Sequence, residues 1–346
     1  MFKKILAGAL SLVMLFSLAS CKDTTWSAKS EKTTVSAGIY LGYLVDSTIN
    51  AINSNGVYTT KELMKLTLSD KPAADFIKEE ALNSVKKFIA VNEKFEELGL
   101  ELSEEDVSAV DNALNTYLQN YGSLYVDNGC GETSLRAMIE SNYKYDAIFV
   151  HYYGKGGEKE VPESDLYKQL TENYAKAQFI TVSLLDSTTG TALEGEELEK
   201  AKAKARDYLE KAENGEDFIK LMRENSGVTE EDEEEIEEQD NGFTEYDALF
   251  KKGDTSTYPK ELVNAVFELE NGKYKLVTTE SYAIVVKKLD INSSEKTFDY
   301  YRDSLAADLK QDEFTETVEG WVSATTVEVN NDSVKRYKPR KIKISA

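Results

Sequence analysis

Residues 176–182 read Lys-Ala-Gln-Phe-Ile-Thr-Val, a short run rich in β-branched and aromatic side chains. Such a run is typical of a buried strand. A second run of the same kind, Tyr-Ala-Ile-Val-Val-Lys, covers residues 282–287. Between the two runs the apolar residues recur mostly at helical spacing. The sequence therefore predicts a compact α+β domain over residues 175–290.

The chain on either side of this domain has a helical pattern. The N-terminal part, residues 35–160, includes a long predicted helix at 73–98, which Gly99 ends. A helical pattern returns from residue 297 to about 324, with an apolar stripe that one helix cannot bury alone. We therefore expect residues 295–346 to pack back on the N-terminal helices. The predicted fold class is α+β: a mostly helical domain with an inserted α/β domain.

Two short segments of the N-terminal part have local signals of their own. Thr59 is a predicted N-cap, and we expect a short helix over residues 63–68. Residues 127–131, Asp-Asn-Gly-Cys-Gly, are predicted to form a turn between two helices.

The composition indicates a folded, strongly acidic chain. Hydrophobic residues make up 41% of the sequence, and the net charge is -22. A surface of this charge repels nucleic acid, so we expect no nucleic-acid partner. The acidic run at 230–238 lacks the glycine and the ligand spacing of a calcium-binding loop, and we interpret it as a solvated loop.

The residues that usually hold metals or act as nucleophiles are scarce. The only histidine is His151, and Cys130, in the predicted turn, lacks the basic neighbour that activates a thiol. One histidine and one free cysteine do not make a typical zinc site. We therefore expect no metal and no cofactor, and no catalytic residue is assigned.

The first residues have the features of an export signal. Two lysines precede an apolar stretch at 5–18, which is shorter than the roughly 20 residues that a transmembrane helix needs. Small residues precede Cys21, as a signal peptidase requires. This pattern resembles the lipobox of bacterial lipoproteins, which implies lipid on Cys21. We predict a signal peptide at 1–20, a lipidated tether at 21–34, and a place outside the cytoplasm on the outer face of the cell membrane.

The region 175–290 resembles a parvulin-type peptidyl-prolyl isomerase domain. The resemblance rests on four motifs in the order of that family: the run at 176–182, Gly-Glu-Asp-Phe at 215–218, Ala-Val-Phe-Glu-Leu-Glu-Asn-Gly at 265–272, and the strand at 281–287. The order of signal, helical part, parvulin-like domain and returning helix resembles the PrsA-type foldase lipoproteins of Gram-positive bacteria. This resemblance implies a membrane-anchored chaperone whose partners are unfolded or partly folded exported proteins.

The sequence departs from the parvulin pattern at two central positions. Parvulins carry a core histidine on each of the two strands, and this chain has Phe179 and Ile284 there, or Ala283 if the second alignment shifts by one residue. None of these side chains forms hydrogen bonds. The expectation is therefore a degenerate isomerase domain whose fold is retained.

The resemblance also implies an apolar surface that contacts proline or an unfolded client. The positions that match the proline-gripping residues of the family are apolar or aromatic here. The alternative is that these side chains fill the domain core. The candidate pocket residues are Phe179, Tyr258, Leu262, Phe267 and Ile284.

Three functions remain open on the sequence alone. The first is a foldase or chaperone with a degenerate isomerase domain. The second is an active prolyl isomerase, because rotation about the prolyl bond needs differential binding rather than a nucleophile. The third is a surface lipoprotein for adhesion or ligand binding. The basic C-terminal tail, residues 335–343, either makes weak contacts with anionic cell-wall polymer or lipid, or pairs with the acidic body.

Overall fold

The computed structural model describes residues 25–227 and 236–344. Long helices and small antiparallel sheets alternate along these residues, which confirms the predicted α+β class. The chain divides into two compact units. Unit 1 contains the chain up to Phe149 and again from Glu313 onward, and unit 2 is Val150–Asp312. The predicted signal peptide, Cys21 and most of the acidic run lie outside the described residues.

Unit 1 is built on helices whose ends follow from the sequence. Ser103 and Asp106 form a reciprocal capping box at the start of one helix. The helix predicted at 73–98 is confirmed, and Gly99 follows it with a φ of 65°. The predicted turn at 127–131 is also confirmed. The helices are α1 (Ala37–Ser54), α2 (Thr60–Leu63), α3 (Ala73–Glu97), α4 (Glu104–Val126) and α5 (Glu132–Tyr153).

Part of the segment predicted to be a tether, residues 21–34, is instead a strand. Strand β1 (Trp26–Lys29) pairs antiparallel with β2 (Thr34–Ser36) on one side and with β9 (Glu328–Val329) on the other. Ser27 is fully buried, and its hydroxyl donates hydrogen bonds to carbonyl oxygens of β2. The polar composition was misleading because this side chain is satisfied inside the sheet.

The prediction of a short helix at 63–68 is also wrong. Thr59 is indeed an N-cap, but α2 already ends at Leu63, the first residue of that segment, and β3 (Thr67–Leu68) then forms a hairpin with β4 (Lys71–Pro72). Both residues of the turn between these strands, including Asp70, have positive φ. Aspartate tolerates that conformation, so turn chemistry prevailed over the helical pattern.

Unit 2 contains a four-stranded antiparallel sheet. Its strand order is β6 (Ala248–Lys251), β5 (Tyr174–Ser183), β8 (Tyr282–Leu289) and β7 (Tyr274–Thr278). The two runs predicted as strands are its central strands, and the register places Phe179 opposite Val286. The two edge strands are shorter and were not predicted. The elements are α6 (Glu163–Asn173), β5 (Tyr174–Ser183), α7 (Gly195–Glu213), α8 (Phe218–Ser226), β6 (Ala248–Lys251), α9 (Lys260–Glu268), β7 (Tyr274–Thr278), β8 (Tyr282–Leu289) and α10 (Glu295–Ala324).

Each face of this sheet has its own apolar cluster. Residues that alternate along a strand point to opposite faces, so Phe179 joins one cluster and Ile180 joins the other. Helix α9 packs on the Phe179 face, whereas α7 and α8 pack on the Ile180 face. One short helix therefore covers the first face, and two helices cover the second.

The basic segment beyond β9 is folded onto unit 1. It contains α11 (Asn331–Val334) and a 3-10 helix (Pro339–Lys341). Val334 and Ile342 are buried in the same core as α1 and α3. In the part of the chain that the structure describes, no helix is both long and apolar enough to cross a bilayer.

Candidate functional site

The five candidate residues lie in one cluster on one face of the unit 2 sheet. Phe179 lies on β5 and Ile284 on β8, while Leu262 and Phe267 lie on α9 and Tyr258 precedes that helix. The antiparallel pairing of β5 with β8 places the two strand residues on the same face, and α9 packs over them. The structure therefore brings together residues that are up to 105 positions apart in sequence (284 minus 179).

Burial divides these five residues into two groups. Leu262 is 1% exposed and Ile284 is 2% exposed, so neither can contact a ligand in this conformation. Both side chains are part of the core of unit 2. Phe179, Tyr258 and Phe267 are half-buried and keep part of their surface in solvent.

Three aromatic rings on this face contact one another. The ring of Tyr258 stacks on that of Phe250 with centroids 4.4 Å apart and an interplanar angle of 29°. Phe179 meets Tyr258 edge-on at 5.7 Å and Phe250 edge-on at 6.2 Å. Such pairs stabilise a fold by about 0.5–1.5 kcal/mol beyond the area that they bury. We call Phe179 and Tyr258, backed by Phe250, the aromatic surface.

Phe250 was missed by the sequence analysis. It is 1% exposed, and it lies on the edge strand β6, whose Ala-Leu-Phe-Lys run is only four residues long. The available signal was the glycine three residues after Phe250, Gly253, which has a φ of 77° and marks a turn after a short apolar run. Phe267 belongs to the same cluster, but among the described residues it forms no ring contact with the aromatic surface.

The aromatic surface offers contact area rather than proton chemistry. The sequence resemblance aligns Phe179 and Ile284, or Ala283 in the alternative alignment, with the parvulin histidines, and none of these side chains donates or accepts a hydrogen bond. The single histidine, His151, is exposed on α5 and its ring contacts that of Tyr152, outside the cluster. The arrangement can bind an apolar or prolyl side chain against two rings held in a fixed geometry.

A buried ion pair lies on the face of β5 opposite the aromatic surface. The sequence did not predict it. The Lys176 ammonium lies 3.1 Å from a carboxylate oxygen of Asp247, and these side chains are 7% and 2% exposed. Gln178 donates a hydrogen bond of 2.8 Å to the same carboxylate, and so does the backbone N–H of Thr244. The signal was a lysine within an otherwise buried strand, because such a lysine requires a partner.

This ion pair fixes the loop that leads into β6. The Lys176 ammonium also donates to the carbonyl of Gly242 at 2.9 Å and lies 4.6 Å from the centroid of the Phe243 ring. Asp247 directly precedes β6, which carries Phe250. The loop therefore positions the ring on which Tyr258 stacks, and the ion pair supports the aromatic surface from the other side of the sheet.

A second polar group holds the other end of β6. The Asp308 carboxylate accepts hydrogen bonds from Tyr174, from Lys251 at 2.5 Å and from Gln169 at 3.0 Å. Burial alone raises the pKa of Asp308, but these three hydrogen bonds together lower it below its usual range. Burial, followed by the hydrogen bond to Asp308, raises the pKa of Tyr174 to about 12. The edge strand is thus tied to α10 within unit 2.

Two cavities in the described part of the chain lie away from the aromatic surface. One cavity of about 310 Å³ lies in unit 1 and is lined by residues such as Phe95, Arg136 and Lys144. Another, of about 500 Å³, lies in unit 2 and is lined by α6 together with Leu309. None of the five candidate residues lines either cavity. Within residues 25–227 and 236–344 no three metal-ligating side chains are grouped.

No protein-family model matches this chain, and no curated protein matches it. Among solved structures, the foldase protein PrsA from Streptococcus pneumoniae is similar at 20% identity, with 74% of this chain and 88% of that chain covered and a TM-score of 0.40. The foldase protein PrsA from Lactococcus lactis is similar at 14% identity, with 89% and 96% covered and a TM-score of 0.42. PrsA from Bacillus subtilis is similar at 15% identity, with 87% and 91% covered and a TM-score of 0.32. At such low identities and TM-scores, the functional argument rests on the residues described above.

Proposed function

We propose that this protein is an extracytoplasmic chaperone, or foldase, that binds apolar and prolyl segments of unfolded exported proteins. The observation that carries the proposal is the aromatic surface, where the half-buried residues Phe179 and Tyr258 contact each other and the buried ring of Phe250. Aromatic surfaces bind proline-rich and extended segments because the rings lose little conformational entropy on binding. The acidic composition keeps a protein that binds apolar clients soluble.

The second part of the proposal is that unit 2 binds prolyl segments without strongly accelerating their isomerisation. The uncatalysed barrier is about 18–20 kcal/mol, and a catalyst must bind the twisted amide more tightly than the planar one. Phe179 and Ile284 offer no hydrogen bond to a twisted amide. Apolar contacts of this kind hold the planar and twisted forms about equally, so the binding is uniform and the rate changes little.

The third part of the proposal concerns location. The lysines, apolar stretch and small residues before Cys21 support cleavage before that residue and attachment of lipid to its thiol. We expect Cys21→Ser to release the protein from membranes, or to leave it unprocessed, without unfolding it. Fractionation of cells, followed by circular dichroism of the released chain, checks this. A mature Cys21→Ser chain that stays in the membrane fraction would contradict lipid anchoring.

The client-binding part is tested by the suppression of aggregation. The chain from residue 21 onward contains every described element, so it is mixed with a chemically unfolded client and light scattering is followed. Tyr258→Ala should weaken the suppression severalfold. Tyr282→Ala is the matched control, because Tyr282 is 38% exposed on the same sheet but lies outside the aromatic surface.

A proline-limited refolding assay separates the proposed function from its alternatives. We expect suppression of aggregation with no more than a small acceleration of refolding. Acceleration that rises in proportion to the protein concentration would establish the active isomerase instead. Failure to suppress aggregation and failure to accelerate refolding would together favour an adhesion or ligand-binding lipoprotein.

A further inference from the structure

The start of β1 is hydrogen-bonded to the segment that precedes the basic residues. The hydroxyl of Thr25 lies 3.1 Å from that of Ser333, and the side-chain amide of Asn330 donates to the carbonyl of Trp26 at 2.9 Å. The backbone N–H of Asn330 also donates to the carbonyl of Ser27 at 2.9 Å. These bonds, with the β1–β9 pairing, hold the first described residues beside α11.

The segment that follows α11 is a concentrated basic patch. Six cations and no acidic residue occur between positions 335 and 343, in a chain whose net charge is -22. Buried Val334, Pro339 and Ile342 anchor the segment, and Asn128 exchanges two hydrogen bonds with the backbone of residue 343. The cations themselves are exposed. We call them the basic patch: Lys335, Arg336, Lys338, Arg340, Lys341 and Lys343.

Ion pairs with the acidic body do not account for five of the six cations of this patch. Lys335, Lys338, Arg340, Lys341 and Lys343 form no ion pair with any residue in the described part of the chain. The segment from 335 to 343 therefore carries a local excess of positive charge, although the whole molecule is negative.

The covalent chain limits the distance between this patch and the predicted lipid. Cys21 precedes Thr25 by four residues, which span at most about 14 Å when fully extended. Thr25 is hydrogen-bonded to Ser333, two residues before the patch begins. Lipid on Cys21 would thus hold the patch close to the membrane surface.

We propose that the basic patch is a docking surface for the anionic headgroups of the membrane that carries the lipid anchor. The inference rests on the lipid anchoring in the proposed function, but not on client binding. Lipid on Cys21 would hold the chain at the membrane, and basic side chains close to that surface add electrostatic attraction to anionic headgroups. The patch would also orient unit 1 on the membrane, since its position relative to Thr25 is fixed.

The test uses the chain from residue 21 onward with Cys21→Ser, so that neither the signal sequence nor the lipid contributes to binding. Sedimentation compares vesicles of pure phosphatidylcholine with vesicles of equal parts phosphatidylcholine and phosphatidylglycerol, at low ionic strength. We expect binding to the anionic vesicles only, and loss of that binding when salt is added. The combined variant Lys338→Gln, Arg340→Gln and Lys341→Gln should weaken the binding about tenfold or more.

The matched control removes the same charge elsewhere. Lys200, Lys204 and Arg206 are exposed on α7, and their combined change to glutamine should leave vesicle binding within about twofold of the parent chain. Thermal unfolding checks that both variants are folded, which is expected because all six side chains are at the surface. The parent chain is the reference for vesicle sedimentation and for thermal unfolding.

Three results would overturn the proposal. The first is no binding of the parent chain to anionic vesicles, and the second is equal weakening by the patch variant and the control variant. The third is binding to purified anionic wall polymer without binding to vesicles. If the vesicle result holds and aggregation is not suppressed, the docking surface stands and the chaperone function fails.

Discussion

The two faces of the unit 2 sheet differ in what covers them. On one face, α9 packs over the strands, and Phe179 and Tyr258 are only half-buried. On the other face, α7 and α8 bury residues such as Ile180 and Phe218, and the buried Lys176–Asp247 ion pair lies on the same face. The same strand β5 serves both faces because its side chains alternate.

Because of this difference, we expect one face to contribute mainly to the stability of unit 2 and the other mainly to ligand binding. A fully covered face contributes to the free energy of folding, since its apolar side chains are removed from water. A partly covered face contributes less to stability and retains surface that a ligand can bury. We call the face under α7 and α8 the closed face, and the face under α9 the open face. We expect substitutions on the closed face to change mainly the stability, and substitutions on the open face to change mainly client binding.

The largest expected effect is on the closed face. Lys176→Met leaves the Asp247 carboxylate buried without its cation, and breaking a buried pair in this way typically costs about 3–5 kcal/mol. Urea unfolding followed by fluorescence measures this loss. Replacing both partners, Lys176→Met with Asp247→Leu, should restore much of the stability, because no uncompensated charge remains. A double variant as unstable as the single one would contradict this explanation.

A similar but smaller loss is expected from Leu221→Ala on the closed face. Leu221 is 1% exposed between α8 and the sheet, and such truncations cost about 2–5 kcal/mol according to how far the cavity relaxes. Client binding, measured under conditions where the variant remains folded, should be close to that of the parent chain. A loss of client binding in proportion to the loss of stability would show that the two faces are not independent.

A pH-dependent effect is expected at the edge of the sheet. Asp308→Asn removes a carboxylate whose pKa in the folded protein is below its usual range, so the stabilisation exists above the unfolded pKa of about 4. It is lost as the pH falls through the lower pKa of the folded state. The substitution should therefore cost about 1–2 kcal/mol at pH 7 and progressively less below pH 4. A cost that does not change between pH 7 and pH 3 would argue against the charged hydrogen bonds.

The smallest effect on stability, with the largest effect on binding, is expected on the open face. Tyr258→Ala removes a half-buried ring that stacks on Phe250, and we expect a loss of about 1 kcal/mol, typical of a partly exposed site. Client affinity should fall severalfold, as measured by fluorescence anisotropy of a labelled unfolded client. If the Tyr258→Ala variant kept both its stability and its affinity for the client, Tyr258 would not be part of the binding surface.

Local patterns predicted the parts of the fold that depend on neighbouring residues. The central strands and the helix at 73–98 follow from apolar spacing and from stop signals such as Gly99. The strand β1 was missed because its stability depends on pairing with β9, about 300 residues away. The ion pair between Lys176 and Asp247 was missed for the same reason, because only the folded sheet brings them together.

The sequence predicted which residues lie together in the candidate site, but not which of them are exposed. The five residues do share one cluster, yet sequence spacing could not show that Leu262 and Ile284 are enclosed while Phe179 and Tyr258 reach solvent. Exposure depends on the length of the covering helix, and α9 has only 9 residues. Phe250, which fixes the geometry, lies on an edge strand too short to give a clear pattern.

The most direct test of the open face is site-specific photo-crosslinking to an unfolded client. A photoreactive phenylalanine derivative is placed at Tyr258 in one protein and at Tyr282 in another, since both positions are partly exposed on unit 2. We predict strong crosslinking from position 258 to the unfolded client, little from position 282, and none from either to the folded client. Equal crosslinking from both positions, or crosslinking from position 282 alone, would contradict the assignment of the aromatic surface as the client-binding site.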